Sequence, residues 1–223
     1  MLAELTLASL LASLPLALAV PEVTVKALPS DCSSFPGYNA AANTAGPWTV
    51  ELANSENAAI ESFSDTSVYS IKYDPRTDSR PTLRWGSITF PTRNDIAKNP
   101  LKCEAGVLKG WVPTDLATTG APTSYQWIPL VFSPYSYDAA LMWKIDGEAP
   151  EIFEHYIGDE KQDGVFLGFN GSTTWGLKYY PQNAGSSGQD YYYARLLGPN
   201  SADPATGQPL KANETVAFVK ISA

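Results

Sequence analysis

The sequence predicts a mostly β protein: an antiparallel, jelly-roll-like β-sandwich in a single domain, with a lipocalin-like closed β-barrel as the alternative. Three observations carry this. Short runs rich in Val, Ile, Tyr, Phe and Trp recur along the chain. Gly, Pro, Asn and Asp separate them, and nothing between them has the βαβ rhythm of a parallel sheet. About eleven such runs suit a sandwich or a barrel.

The runs follow in order. WTVEL (48–52) alternates apolar and polar residues, and SVYSIKY (67–73) puts Tyr69, Ile71 and Tyr73 on one face. TLRWGSITF (82–90) lies between Pro81 and Pro91. GVLKGWV (106–112), SYQWIPLVF (124–132), ALMWKI (140–145), EIFEHYI (151–157), GVFLGF (164–169), TTWGLKYY (173–180), QDYYYARLL (189–197) and TVAFVKI (215–221) complete the series. Asp146-Gly147 can close a hairpin after ALMWKI. Asn170-Gly171 can close one between GVFLGF and TTWGL, since both dipeptides tolerate positive φ. Helical signal is confined to single turns at AANTAG (41–46) and within 54–60. Residues 110–127, 181–189 and 198–209 read as long polar connections.

Residues 1–19, MLAELTLASLLASLPLALA, form an apolar leader too short to span a bilayer. It ends in the small-x-small triplet Ala17-Leu18-Ala19 and is expected to be a cleaved signal peptide. Residues 20–45 are then an N-terminal arm tied down by a disulfide, and 46–223 a single β domain. The expected location is secreted or extracellular, including cell wall or vacuole. No other apolar run is long enough to cross a membrane, so no membrane insertion is expected.

Cys32 and Cys103 are the only cysteines, an even count in a chain that enters the oxidising pathway. A bond between them closes a loop of about seventy residues and removes roughly 4 kcal/mol of unfolded-state entropy. The triplets Asn170-Gly171-Ser172 and Asn213-Glu214-Thr215 are N-glycosylation acceptors in such a chain. The formal charge of −8, with 15 basic against 23 acidic residues and no basic cluster, argues against nucleic-acid partners.

The chemistry is bounded by what is scarce. His155 is the single histidine, so any imidazole-dependent mechanism passes through it, and no GxSxG elbow accompanies it. One histidine and two distant cysteines do not make a zinc site. GDEKQDG (158–164) lacks EF-hand spacing, so no metal is expected. Without a P-loop or GxGxxG, no nucleotide cofactor is expected either. Carboxylate catalysis stays open, because a glycosidase needs only two acids at suitable separation. Candidates near aromatic strands are Asp138, Glu148, Glu151, Glu154 and Asp190, with His155 beside them.

TTWGLKYY and QDYYYARLL flank the loop 181–189 and are expected to pair. That pairing would gather Trp175, Tyr179, Tyr180, Tyr191, Tyr192 and Tyr193 into one aromatic surface. Such a surface is either cross-strand packing or a platform on which sugar rings or another flat apolar molecule stacks.

Gly46-Pro47-Trp48 is similar to the G-x-W of lipocalins, and Asp190-Tyr191 to part of their T-D-Y, although Gln189 stands where that signature has Thr. This likeness supplies the barrel alternative and no site. The segments DCSSFPGYNAAANTAGPW and YQWIPLVFSPYSYDAALMWKI, set after a short leader, resemble small secreted glycoproteins of filamentous fungi. The resemblance implies extracellular or cell-wall residence and no particular reaction.

The leading expectation is a non-catalytic secreted β-protein that binds carbohydrate or a small apolar ligand, or resides in a cell wall. The alternatives are a cofactor-independent enzyme using carboxylates, such as a glycan hydrolase or a small-metabolite isomerase or cyclase, and an effector-like protein-binding module.

Overall fold

Extended backbone dominates the computed structural model, which describes residues 20–62, 67–68, 86–92, 99–116, 122–132, 139–143, 148–181, 190–199 and 201–221. In chain order the strands are β1 (Thr24–Ala27), β2 (Thr44–Trp48), β3 (Val50–Ala53), β4 (Ser67–Val68), β5 (Gly86–Pro91), β6 (Leu101–Glu104), β7 (Val107–Leu116) and β8 (Pro122–Phe132). They continue with β9 (Ala139–Trp143), β10 (Glu151–Ile157), β11 (Glu160–Lys161), β12 (Val165–Gly168), β13 (Thr174–Tyr180), β14 (Tyr191–Leu196) and β15 (Glu214–Ile221). Helix is limited to two 3-10 turns among the described residues, Cys32–Ser34 and Ala58–Ile60, the second within the predicted segment 54–60. The signal-peptide segment 1–19, the Asp146-Gly147 turn and Asp138 lie outside the described residues, as do most of SVYSIKY and of the 181–189 loop.

Every pairing is antiparallel. Neighbours run β1-β10-β12-β15-β13-β14-β5-β9-β8-β7-β6-β2, with β11 beside β10, β3 beside β15 and β4 beside β5. The two ends of this path do not meet, so the sheets are open and the lipocalin-like barrel is not the architecture. The fold is the expected mostly β, sandwich-like one.

Strand β15 joins the two parts of the sheet. Phe218 pairs with Thr174 of β13 and with Ala53 of β3, while Lys220 pairs with Phe166 of β12 and Glu51 of β3. Strands β12 and β13 therefore succeed one another along one edge of β15, and β3 takes the other. This corrects the predicted hairpin at Asn170-Gly171. The turn itself forms, with φ of 50° and 73° at the two residues and Phe169 and Ser172 exchanging backbone hydrogen bonds of 2.9 and 3.0 Å. The strands it links do not pair with each other, because both pair with β15. The crossing is tight: a Cβ on Gly168 would lie 2.2 Å from the Ser172 carbonyl oxygen, so only glycine fits.

The 110–127 connection is also corrected. Its two ends are strand, since β7 runs on to Leu116 and β8 begins at Pro122, paired from Lys109↔Pro129 to Leu116↔Pro122. AANTAG is likewise not a helical turn throughout, because Thr44, Ala45 and Gly46 belong to β2.

The main core lies on one face of these strands and includes Val50, Leu52, Phe90, Leu101, Leu130, Leu167, Trp175, Leu177, Val219 and Ile221. A smaller cluster, Ala53, Phe153, Phe166 and Phe218, occupies the opposite face of β3, β10, β12 and β15. Val20, Val23 and Val25 of the N-terminal arm pack over it. The arm is also fixed by its disulfide: Cys32 and Cys103 are bonded, as expected, with Cα atoms 5.5 Å apart and a sequence separation of 71.

Candidate functional site

The tyrosine hairpin forms in the expected pairing, Tyr180↔Tyr191 and Tyr179↔Tyr192 through to Trp175↔Leu196. Its rings do not make one surface. Alternation sends Trp175, Leu177, Ala194 and Leu196 into the main core, where Trp175 is 0% exposed and donates its Nε1–H to the Leu167 carbonyl at 3.0 Å. Trp175 is thus a core residue, which corrects its place in the expected platform.

Tyr179 and Tyr192 share that face at the far end of the hairpin, with centroids 5.4 Å apart. The Tyr179 hydroxyl donates to Asp190 at 2.8 Å, and this bond raises its pKa. Burial raises that of Tyr192. Tyr180 and Tyr191 stack on the other face, 5.4 Å apart and inclined by 14°, with the Lys178 ammonium 5.5 Å from the Tyr180 ring. Tyr193 falls on this second face, half-buried, beside the buried Arg195. The six residues are therefore divided among the core, two opposed pairs and Tyr193, as a β-pleat requires of consecutive tyrosines.

The acid-base candidates are not brought together. Glu154 and His155, adjacent on β10, project to opposite faces. Glu154 accepts from Lys161 at 2.5 Å and from the Tyr156 hydroxyl at 2.8 Å, with Lys26 at 3.5 Å, and these contacts hold its pKa down to about 2. A carboxyl so committed is a poor proton donor. His155 is buried among phenylalanines, and burial lowers its pKa to about 4. Glu151 is exposed and accepts from the Gly171 amide at 3.4 Å, and Asp190 holds Tyr179. Glu148 is exposed at an isolated bridge to Phe132.

A different aromatic group stands on the surface. Trp111 of β7 faces Trp127 of β8 directly across the ladder, and Tyr125 lies two residues before Trp127 on the same face. The Trp111 ring is 5.2 Å from Trp127 and 6.0 Å from Tyr125, and the Trp111 and Tyr125 planes are inclined by only 15°. Trp111 is 37% exposed and Tyr125 45%. The reverse face of the same strands, with Leu101, Leu108, Val112 and Leu130, is buried in the core, so the row rests on a fixed support.

Charged groups border the row. Lys102 of β6 lies on the same face, with its ammonium 4.7 Å from the Trp127 centroid. Lys102 and Lys109 donate to the two oxygens of Glu104 at 2.9 and 2.7 Å. The bond from Lys109, then that from Lys102, draws the Glu104 carboxyl down to a pKa of about 2, so the cluster stays charged at neutral pH. Three ring faces beside fixed donors and an acceptor can hold the apolar C–H face of a sugar and hydrogen-bond its hydroxyls.

Sequence reasoning places Trp111, Tyr125 and Trp127 in the strand runs 106–112 and 124–132 but misses their row, because 110–127 also reads as a long polar connection and the two runs are not paired. A signal was available: Lys109 and Trp111 alternate with Leu108 and Val112, the pattern of a half-buried strand. Among the described residues no group of three or more His, Cys, Asp or Glu side chains could hold a metal ion, and no helix is long and apolar enough to cross a membrane.

Neither a protein-family model nor a curated protein sequence matches the chain. Fold and site alone thus define its class: an open antiparallel β protein with an exposed aromatic row on one sheet.

Proposed function

We propose that the protein is a secreted, non-catalytic glycan-binding protein, resident in an extracellular matrix or cell wall, that seats sugar rings on Trp111, Tyr125 and Trp127. The observation that carries this reading is the row itself, with Trp111 5.2 Å from Trp127 and 6.0 Å from Tyr125 on the solvent face of a sheet whose other face is core. Large apolar rings left in contact beside polar groups are the chemistry of carbohydrate stacking. Lys102, Glu104 and Lys109 supply hydroxyl partners, and two lysines against one glutamate leave the cluster with one net positive charge.

Export is supported by the Cys32–Cys103 disulfide, which belongs to an oxidising compartment, and by the apolar leader at 1–19. Asn170, exposed at its turn tip, and Asn213, also exposed, are the expected glycan attachment points. The fungal resemblance fits a cell-wall setting. The carboxylate-enzyme reading has less support, because its candidate acids are separately engaged, and nothing specific favours a protein-binding effector.

The test is a depletion assay on insoluble β-glucan, cellulose and chitin with the native protein, Trp111→Ala and Tyr125→Ala. The expected result is retention of the native protein on at least one of them and a loss of about tenfold in each variant, equivalent to about 1.4 kcal/mol, with the melting temperature held. Retention that is absent from all three, or unaffected by both substitutions, overturns the proposal.

A further inference from the structure

His155 is 0% exposed, and neither ring nitrogen has a hydrogen-bond partner among the described residues. A neutral imidazole always carries one N–H, so this fold buries a donor and an acceptor unsatisfied, an arrangement native proteins rarely keep. The ring lies flat on Phe166, centroids 3.6 Å apart and planes within 5°, and meets the edge of Phe218 at 4.6 Å. A phenylalanine would fill this place without the polar penalty.

The covering element is the least anchored neighbour. Among the described residues strand β1 pairs with β10 alone, with Val25 directly opposite His155. Three of its four side chains are exposed and Val25 is half-buried. On the other sides of the ring stand β10, β12 and β15, the last two held on both edges.

We propose that His155 makes β1 and the preceding arm an acid-released cover: the imidazole takes up a proton more readily when β1 lifts and admits water, so acidification opens the phenylalanine face of the sheet. Alternation places these ionisable groups on that face: Glu51 of β3 and Lys220 of β15, paired at 3.3 Å, and Glu151 near the start of β10. From the arm Glu22 is exposed, while Lys26 of β1, Glu154 of β10 and Lys161 of β11 engage one another on the reverse face. None bonds to the imidazole. No carboxylate is therefore in place to stabilise the buried imidazolium, and hydration must do so.

The sign follows from linkage. The closed state binds the proton with a pKa of about 4 and the open state with the ordinary 6.5. Opening is thus unaffected above pH 6.5 and grows as pH falls towards 4, by roughly 30-fold at pH 5 and roughly 150-fold at pH 4 relative to pH 8.

Hydrogen exchange of the purified protein, corrected for the intrinsic pH dependence of exchange, reads this directly. Peptides covering 20–28 should lose protection between pH 6.5 and 4 while the β13–β14 hairpin stays the better protected at every pH, and His155→Phe should abolish the loss. His155→Leu serves as a second apolar variant. A flat pH profile for 20–28 in the native protein overturns the proposal without need of any variant. So does exchange of 20–28 at the same opening free energy as β13–β14 at every pH, which marks global unfolding, or an acid response that persists in a folded His155→Phe or His155→Leu protein.

Discussion

Arg195 and Glu214 are joined by two parallel bonds in the interior, Nε to Oε1 and Nη2 to Oε2, both 2.7 Å, with the side chains 1% and 0% exposed. The guanidinium also donates to the carbonyls of Ser201 and Pro209, so the pair ties the segment 201–209 to β14 and β15. Removing one partner strands the other as a buried charge. Glu214→Gln should cost about 3 to 5 kcal/mol, read as a fall in the urea midpoint. A loss below 1 kcal/mol would show that water reaches the guanidinium. Gly176 guards the same contact, because a Cβ there would come within 2.6 Å of the Glu214 carboxyl. Gly176→Ala is expected to destabilise in the same direction.

Trp175 and Trp111 provide opposite controls. Trp175→Ala empties a core site and leaves the Leu167 carbonyl without its donor, so a loss of about 3 to 5 kcal/mol is expected. Trp111→Ala removes a ring already 37% exposed and should shift the melting temperature little while weakening glycan retention. Equal thermal effects in the two variants would contradict the assignment of core and surface.

The disulfide spans 71 residues and fastens the N-terminal arm to β6. Cys32→Ser with Cys103→Ser should lower stability by about 4 kcal/mol in the chain-entropy account, and reductant should produce the same fall in the native protein. Denaturation midpoints that coincide with and without reductant would refute this.

Acid sensitivity should arrive in two steps. His155 has a folded-state pKa below its ordinary one, so its burden is absent above pH 6.5, grows as pH falls to about 4 and then levels off, reaching at most about 3 kcal/mol. Glu104 and Glu154, held to about 2 by their lysines, contribute fully above pH 4.5, and their contribution is lost between pH 4.5 and 2. In His155→Phe the onset of acid destabilisation should therefore move from about pH 6.5 to about pH 4.5, followed by urea midpoints across pH. An onset unchanged by the substitution would leave the histidine without that role.

The strands were legible because burial on one face forces a two-residue period, and EIFEHYI became β10 residue for residue. The Tyr179↔Tyr192 register was not legible, yet the tyrosine pairing was, since a flexible loop joins two aromatic strands. The division of the tyrosines was implicit in the same alternation: Trp175, Leu177, Ala194 and Leu196 compose an apolar face that leaves Tyr180 and Tyr191 on the other. Position along β15 is a different matter. Asn170 and Gly171 carry all the chemistry of a hairpin turn, and only a partner some fifty residues downstream decides that the flanking strands lie end to end. The aromatic row escaped because Gly120 and Pro122 mark a loop in a local reading, whereas the ladder between β7 and β8 runs on to Leu116 and Pro122.

The placement of β15 also governs when the molecule can assemble on the ribosome. Strands β3, β12 and β13 are all made before it, and Leu52 waits for Val219 to be translated before its ladder can close. Until then the nascent chain presents unpaired edges and uncovered apolar residues, the condition that recruits chaperones. Closure of three ladders therefore waits on that one late strand.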